Sequence, residues 1–201
     1  MFFIRNVIAS LAFISMSVSA MNKLEQDAWD IYVQAKLRSE FTYTTFAKAF
    51  LKHNSYGNKP YIAMIDYGLP SNTPRFWIVD LLKKKLVLKT FVSHGIHSGN
   101  LYAKNFSNDI NSKQTSLGTF RAAEVYRGRF GRSLRLDGLD PENSNARRRA
   151  IVIHGASYSN PNVIKELGML GQSWGCPSLP LNTVNAVIQK LQNGGIIYAY
   201  R

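Results

Sequence analysis

Ala150-Ile151-Val152-Ile153-His154-Gly155 is the stretch from which the rest of the chain can be read. A short apolar run dominated by β-branched residues is the pattern of a buried strand. This one ends on a histidine, and a side chain at the end of a buried strand is presented by rigid backbone. Gly155 lets a backbone carbonyl reach Nδ1 of His154 and leaves Nε2 facing outward as a base. Similar short runs at residues 61–65, 75–81, 86–92 and 117–125, bounded by Gly, Pro, Asn and Ser, predict further strands. Leu82-Lys83-Lys84-Lys85 is a polar hairpin turn between two of them. Near the end, Val184, Val187, Ile188 and Leu191 form one face of a helix over 182–191. Asn193-Gly194-Gly195 stops it, and residues 196–200 give a last strand.

Upstream the spacing changes. Leu24, Ala28, Ile31, Ala35 and Leu37, then Phe46, Ala49 and Phe50, follow a three-to-four rhythm that predicts helix over 22–52, with a loop at 53–60. The first twenty residues differ again: Arg5, an apolar stretch from Val7 to Val18, and Val18-Ser19-Ala20 make the pattern of a secretory signal peptide. The expected organisation is a signal peptide at 1–20, a helical segment at 21–56 and a mostly β domain at 57–201. The fold class is α+β. No later stretch approaches the roughly 20 apolar residues of a membrane span, so the expected location is the periplasm or the cell exterior, in the envelope, with no membrane span after signal removal.

The formal charge is +13, or +12 once Arg5 is removed. Such a balance attracts polyanions, yet no RNP-like aromatic run, zinc-finger spacing or recognition-helix pattern is present. The expected partner is therefore an anionic envelope polymer and not nucleic acid. Arg121, Arg127, Arg129, Arg132, Arg135 and Arg147 to Arg149 lie close together in the chain, and guanidinium forks suit carboxylates.

Cys176 is the single cysteine. Without a partner it is either a small buried hydrophobe or a thiol kept for chemistry. Its setting, Ser173-Trp174-Gly175-Cys176-Pro177, has turn chemistry in place of core periodicity. Gly175 allows a sharp turn and close approach, the amides of Gly175 and Cys176 can point at one oxygen, and Pro177 stiffens the exit. Acyl transfer needs a thiolate, a base, oxyanion donors and a group that orients the base, and His154 with Cys176 supplies the first two.

His154-Gly155 followed by Ser173-Trp174-Gly175-Cys176 resembles the active-site signature of the L,D-transpeptidase catalytic domain, or YkuD-type domain. Thr115-Ser116-Leu117-Gly118-Thr119-Phe120 resembles that family's Thr-Pro-x-Gly-x-Phe strand. With Arg132-Ser133-Leu134-Arg135-Leu136-Asp137-Gly138-Leu139 between them, the likeness covers roughly residues 60–201 and is closest to the divergent murein branch. It departs from the pattern in three ways: Trp174 replaces a second histidine, Pro177-Ser178 follows the cysteine, and the spacer is slightly long. The resemblance implies a mixed β-sheet domain and a cysteine-dependent reaction on peptidoglycan stem peptides, without a cofactor or metal. Cys176 would be the nucleophile, His154 the base, Gly155 the orienting carbonyl, and Gly175 with Cys176 the oxyanion donors. Ser173, Trp174, Arg132, Arg135 and His94 would contact or support substrate.

Other readings remain at this level. The same chemistry with water as acceptor gives an L,D-carboxypeptidase or a crosslink hydrolase, and a basic wall-binding module needs no chemistry at all. His94-Gly95-Ile96-His97 with Cys176 can be read as a zinc site, against a simpler reading as a turn beside the cleft.

Overall fold

The computed structural model describes residues 23–201. The expected signal peptide and its cleavage site lie outside the described residues. Eight strands form one mixed sheet: β1 (Tyr61–Asp66), β2 (Phe76–Asp80), β3 (Lys85–Thr90), β4 (Gly118–Gly128), β5 (Gly131–Gly138), β6 (Val152–Gly155), β7 (Ser178–Leu179) and β8 (Ile196–Tyr200). Their order is β3-β2-β1-β8-β4-β5-β6-β7. β1 with β8 and β6 with β7 are parallel, and the other neighbours are antiparallel.

The central strands are unbroken apolar runs because they bury both faces. Side chains alternate across a strand. Ile62 and Met64 of β1, with Trp77 and Val79 of β2, join a cluster containing Ala28, Ile31, Phe46 and Phe50. Ala63 and Ile65, with Phe76 and Ile78, face the other way and pack with Val184, Val187, Ile188 and Leu191. Helix therefore covers both sides of the sheet, the N-terminal pair on one and α4 (Val184–Leu191) on the other.

The predicted N-terminal helix is two helices. Residues 23–34 form α1, and Lys36 then takes a left-handed φ of 55° before a 3-10 turn at Leu37–Ser39. α2 (Tyr43–Tyr56) restarts with Thr42 as its cap, Oγ1 accepting from the Thr45 amide at 3.2 Å. It runs through the expected loop as far as Gly57, whose amide closes on His53 O at 2.7 Å. The Ser55 hydroxyl donates to Leu51 O at 3.0 Å, so a residue read as a loop former satisfies itself inside the helix. Lys52 then ties α2 to the start of β4 and the end of β5: Nζ meets Asp140 Oδ1 at 2.7 Å while Asp140 Oδ2 accepts from the Thr119 amide at 2.7 Å.

The other predicted strands and the C-terminal helix are present with small shifts of boundary. Three elements were not expected: β5, β7 and the short α3 (Asn162–Leu167). Among the described residues no helix is long and apolar enough to cross a membrane.

Phe46 is fully buried between the N-terminal helices and the sheet. Phe46→Ala is expected to lower the unfolding free energy by about 3–5 kcal/mol through lost transfer energy and the cavity left behind. Urea denaturation checks this, and a loss below about 1 kcal/mol would mean that the helical layer is not part of the cooperative core.

Candidate active site

β6 and β7 place the site. In the parallel register His154 is opposite Ser178 and Gly155 opposite Leu179, so the turn preceding Ser178 runs beside the start of β6. His154 is buried at the strand end, as expected. Its Nδ1 lies 3.1 Å from the Gly155 carbonyl oxygen. A carbonyl only accepts, so Nδ1 carries the proton and Nε2 keeps the lone pair. The Phe130 ring stacks on the imidazole at 4.0 Å between centroids, and Tyr158 meets it edge-on at 6.5 Å. Burial first, and the Arg129 charge after it, hold the His154 pKa below the usual histidine value, against the Gly155 bond that raises it. The imidazole is thus neutral at pH 7.

The turn carrying Cys176 is held from inside. Ser173 Oγ accepts from the Gly175 amide at 3.1 Å and donates to the Cys176 carbonyl at 2.7 Å. Gly175 has φ 112°, and a Cβ there would meet the Gln114 carbonyl oxygen at 2.6 Å, so both conformation and space require glycine. One expectation changes. The Gly175 amide is occupied by Ser173, so of the expected pair of donors the Cys176 amide is the one not taken by that bond.

Cys176 is partly buried, and its thiol donates to Ala150 O at 3.7 Å. Among the described residues Sγ makes this bond and none to His154. Ala150 is itself strained, with a left-handed φ of 55° where the turn of residues 144–150 closes onto β6. Burial pushes the thiol pKa up, while the Val152 amide, Arg149 and Arg129 pull it down. The resting pair is therefore thiol and imidazole and not thiolate and imidazolium.

Arg149 braces the loop against this turn. Its guanidinium donates to the carbonyls of Ser107, at 2.7 Å, and Gln114, and to the hydroxyls of Ser112 and Ser116. It also lies 3.2 Å from where a Gly175 Cβ would be. Below His154, the buried hydroxyls of Ser93, Ser159 and Ser178 are linked at 2.9 and 3.1 Å.

The structure seats the other expected residues differently. His94 is buried beside Ser173, with backbone bonds between Ser173 N and His94 O at 2.9 Å and between Ile96 N and Ser173 O at 2.8 Å. Its Nδ1 accepts from Arg75 at 2.7 Å and its Nε2 lies 3.0 Å from Gly99 O. Both ring nitrogens are committed, one of them to a guanidinium, so His94 braces the turn behind Ser173 in this structure. Arg132 lies on the strand face opposite Ser133, the register partner of His154, and its guanidinium meets Gln192 Oε1 at 3.2 Å. It is outside the cleft. Arg135 shares the His154 face but is bound to Glu124 at 2.8 Å and stacked over Tyr126. Trp174 is 65% exposed at the rim.

Sequence reasoning did not single out Arg75, which is wholly buried and gives its remaining donors to the carbonyls of Leu69 and Val92. Nor did it single out Phe130, Tyr158 and Lys113. The pairing of Arg129 with an aromatic rim had no local signal.

The family model for the L,D-transpeptidase catalytic domain matches residues 34–200. No curated protein matches the chain. Among solved structures, an L,D-transpeptidase from Mycobacterium smegmatis is similar at TM-score 0.45 and 14% identity, over 71% of this chain and 59% of that one. L,D-transpeptidase 3 from Mycobacterium tuberculosis gives 0.45 and 11%, over 71% and 61%. Bd1075 from Bdellovibrio bacteriovorus gives 0.47 and 9%, over 73% and 49%. The chain thus spans less than two thirds of each of these solved chains.

The supporting place of His94 has a measurable consequence. Burial, with the Arg75 charge second, lowers its pKa to about 4, whereas in the unfolded chain it titrates near about 6.5. Between these values the unfolded state binds the proton and the folded state does not, so this contribution to stability is lost as pH falls through that window. His94→Ala is expected to destabilise the protein by about 1–3 kcal/mol at pH 7, because Arg75 loses a buried acceptor. It should also flatten the loss of stability between about pH 6.5 and 4. Denaturation of both proteins at pH 7 and pH 5 checks this, and an unchanged slope would contradict the assigned role.

Proposed function

Because the chain belongs to the L,D-transpeptidase catalytic-domain family, we propose that it is a cell-envelope acyltransferase acting on peptidoglycan stem peptides with Cys176 as nucleophile. The observation that carries this reading is the locked His154 tautomer, Nδ1 on Gly155 O and Nε2 unprotonated, in the strand alongside the Cys176 turn. A neutral imidazole and a neutral thiol are the reactant state of general-base catalysis.

Rotation of the Cys176 side chain away from Ala150 O brings Sγ toward His154, which takes the thiol proton at Nε2. The thiolate attacks the carbonyl at the L-configured centre of the third stem residue, and the developing oxyanion is met by the Cys176 amide. The C–N bond then breaks, the proton passes from His154 to the departing D-amino acid amine, and a thioester remains. An amine of a second stem, deprotonated by His154, attacks the thioester to form a crosslink and release the thiol. Water in its place would give trimming of the stem. The retained base and thiol favour either reaction over a purely wall-binding role. In this reading the chain is exported, with residues 1–20 removed.

Cys176→Ala is expected to abolish both the thioester and the covalent carbapenem adduct seen by mass spectrometry, and an equal adduct in that variant would place the nucleophile elsewhere. His154→Ala should reduce turnover of muropeptides by roughly 10² to 10⁴.

The pH profile gives a separate check. The depressed His154 pKa puts the acid limb of wild-type acylation below pH 6.5, with the rate falling as His154 protonates. Acylation of His154→Ala should recover in part as alkaline pH ionises the thiol without help. An acid limb that persists unchanged in His154→Ala would remove this residue from the base role.

A further inference from the structure

Lys113 and Arg129 reach the exposed ring of Trp174 from two separate loops. Lys113 Nζ lies 4.8 Å and Arg129 Cζ 5.7 Å from the ring centroid. Arg129 also lies 4.5 Å from the Phe130 centroid, and Phe130 is the ring stacked on His154. The two cations and two rings form one continuous surface from the rim to the imidazole, and Trp174 stands two residues before Cys176.

Neither cation has a carboxylate partner among the described residues, whereas Arg135 and Arg147 are bound to Glu124, and Arg147 to Asp137 as well. Among the described residues Arg135 and Arg147 are the arginines of this segment with carboxylate partners, and of those without one Arg129 is the arginine that lies over both Phe130 and Trp174. Two like charges sharing one ring repel each other, and an anion between them relieves that repulsion.

Both are held in place by their backbones. Lys113 takes a left-handed φ of 54°, which a lysine holds only where the surroundings enforce it. The Lys113 carbonyl accepts from the His97 amide at 3.2 Å, and Arg149 clamps the residues on either side of it. Arg129 occupies the two-residue tip between β4 and β5, where Gly131 supplies the left-handed φ of 76° that closes the turn. Arg129 is also near enough to bear on the charge of both His154 and Cys176.

We propose that Lys113 and Arg129, arranged on Trp174, form a carboxylate-binding subsite that selects acidic peptides beside the bond attacked by Cys176. This rests on the acyl-transfer reading for its placement. Two carboxylates of a peptide substrate qualify: the one at its free end, and one on the side chain of the residue whose carbonyl is attacked.

The test is calorimetric binding to the full chain carrying Cys176→Ala, so that no turnover intervenes. Three tetrapeptides are compared: the acid form, a form amidated only at the free end, and a form amidated only at the third side chain. One of the two amidations is expected to weaken binding about tenfold, the scale of a lost charge-assisted contact at a partly exposed site, and it identifies the source. In the same background Arg129→Gln and Lys113→Gln should bind acid and amide forms alike, and Arg129→Lys should restore part of the discrimination.

The proposal is overturned if no peptide binds, if neither amidation matters, or if Arg129→Gln and Lys113→Gln both discriminate as strongly as their parent. Such a result leaves the acylation of Cys176 standing, since that is read by adduct formation. A failure of acylation leaves carboxylate binding measurable in turn.

Discussion

The pairing of His154 with Ser178 and of Gly155 with Leu179 joins two chain segments that share no local sequence signal. A parallel pair cannot be closed by a tight turn. The intervening chain must cross over, and here it does so through the 3-10 turn at Ser157–Ser159 and α3. This crossover delivers Ser173 to Cys176 beside the strand that carries the imidazole. Without those two residues of register, the imidazole would stand at a strand end apart from the Cys176 turn. The Ser93, Ser159 and Ser178 hydroxyl chain fastens the crossover where it returns. Buried hydroxyls that satisfy one another make a specific contact, since any slip would leave them unpaired.

Both sides of that joint are under conformational load. Ala150 adopts a left-handed φ two residues before β6 begins, and Gly175 has a positive φ immediately before Cys176. The first has a Cβ and is strained, and the second tolerates no Cβ because Gln114 O is too close. The thiol donates to the carbonyl of the first strained residue, so its resting position depends on that turn. Arg149 reaches the Gln114 carbonyl and the neighbouring serines, which holds the loop against the Gly175 turn. The reactive geometry is thus set by backbone conformation, and the side chains around it mainly keep that backbone from relaxing.

What the sequence made legible was what depends on neighbouring residues. The strands at 61–65 and 75–81 were visible because burial on both faces leaves no polar alternation, and the Ser173 to Cys176 turn was visible because glycine and proline act locally. β5 is hidden although Leu134 and Leu136 alternate with Ser133 and Arg135, because its arginines carry the signal of an acid-binding cluster more strongly than that of a strand. The same alternation explains why Arg132 and Arg135 do not act together: residues three apart on a strand face opposite sides. β7 is two residues long and carries no period at all. The burial of Arg75 follows from Leu69, Val92 and His94 meeting around one guanidinium, an arrangement that only the folded chain defines.

Ser173 and Trp174 divide the work of the turn between its inside and its outside. Ser173 satisfies two backbone groups across the turn and cannot change without loosening it. Trp174 contributes none of those bonds, and its ring stands in solvent at 65% exposure. A turn organised this way keeps its geometry whatever occupies the outer position, so that position is free to follow the substrate. An exposed indole beside Lys113 and Arg129 gives that position a flat apolar face with positive charge around it, complementary to a peptide that carries carboxylates on a small framework. The departure from histidine at this place is therefore compatible with an intact Ser173 to Cys176 turn, and in the proposed reading it places the distinctive chemistry of this chain at the rim, beside the reacting groups.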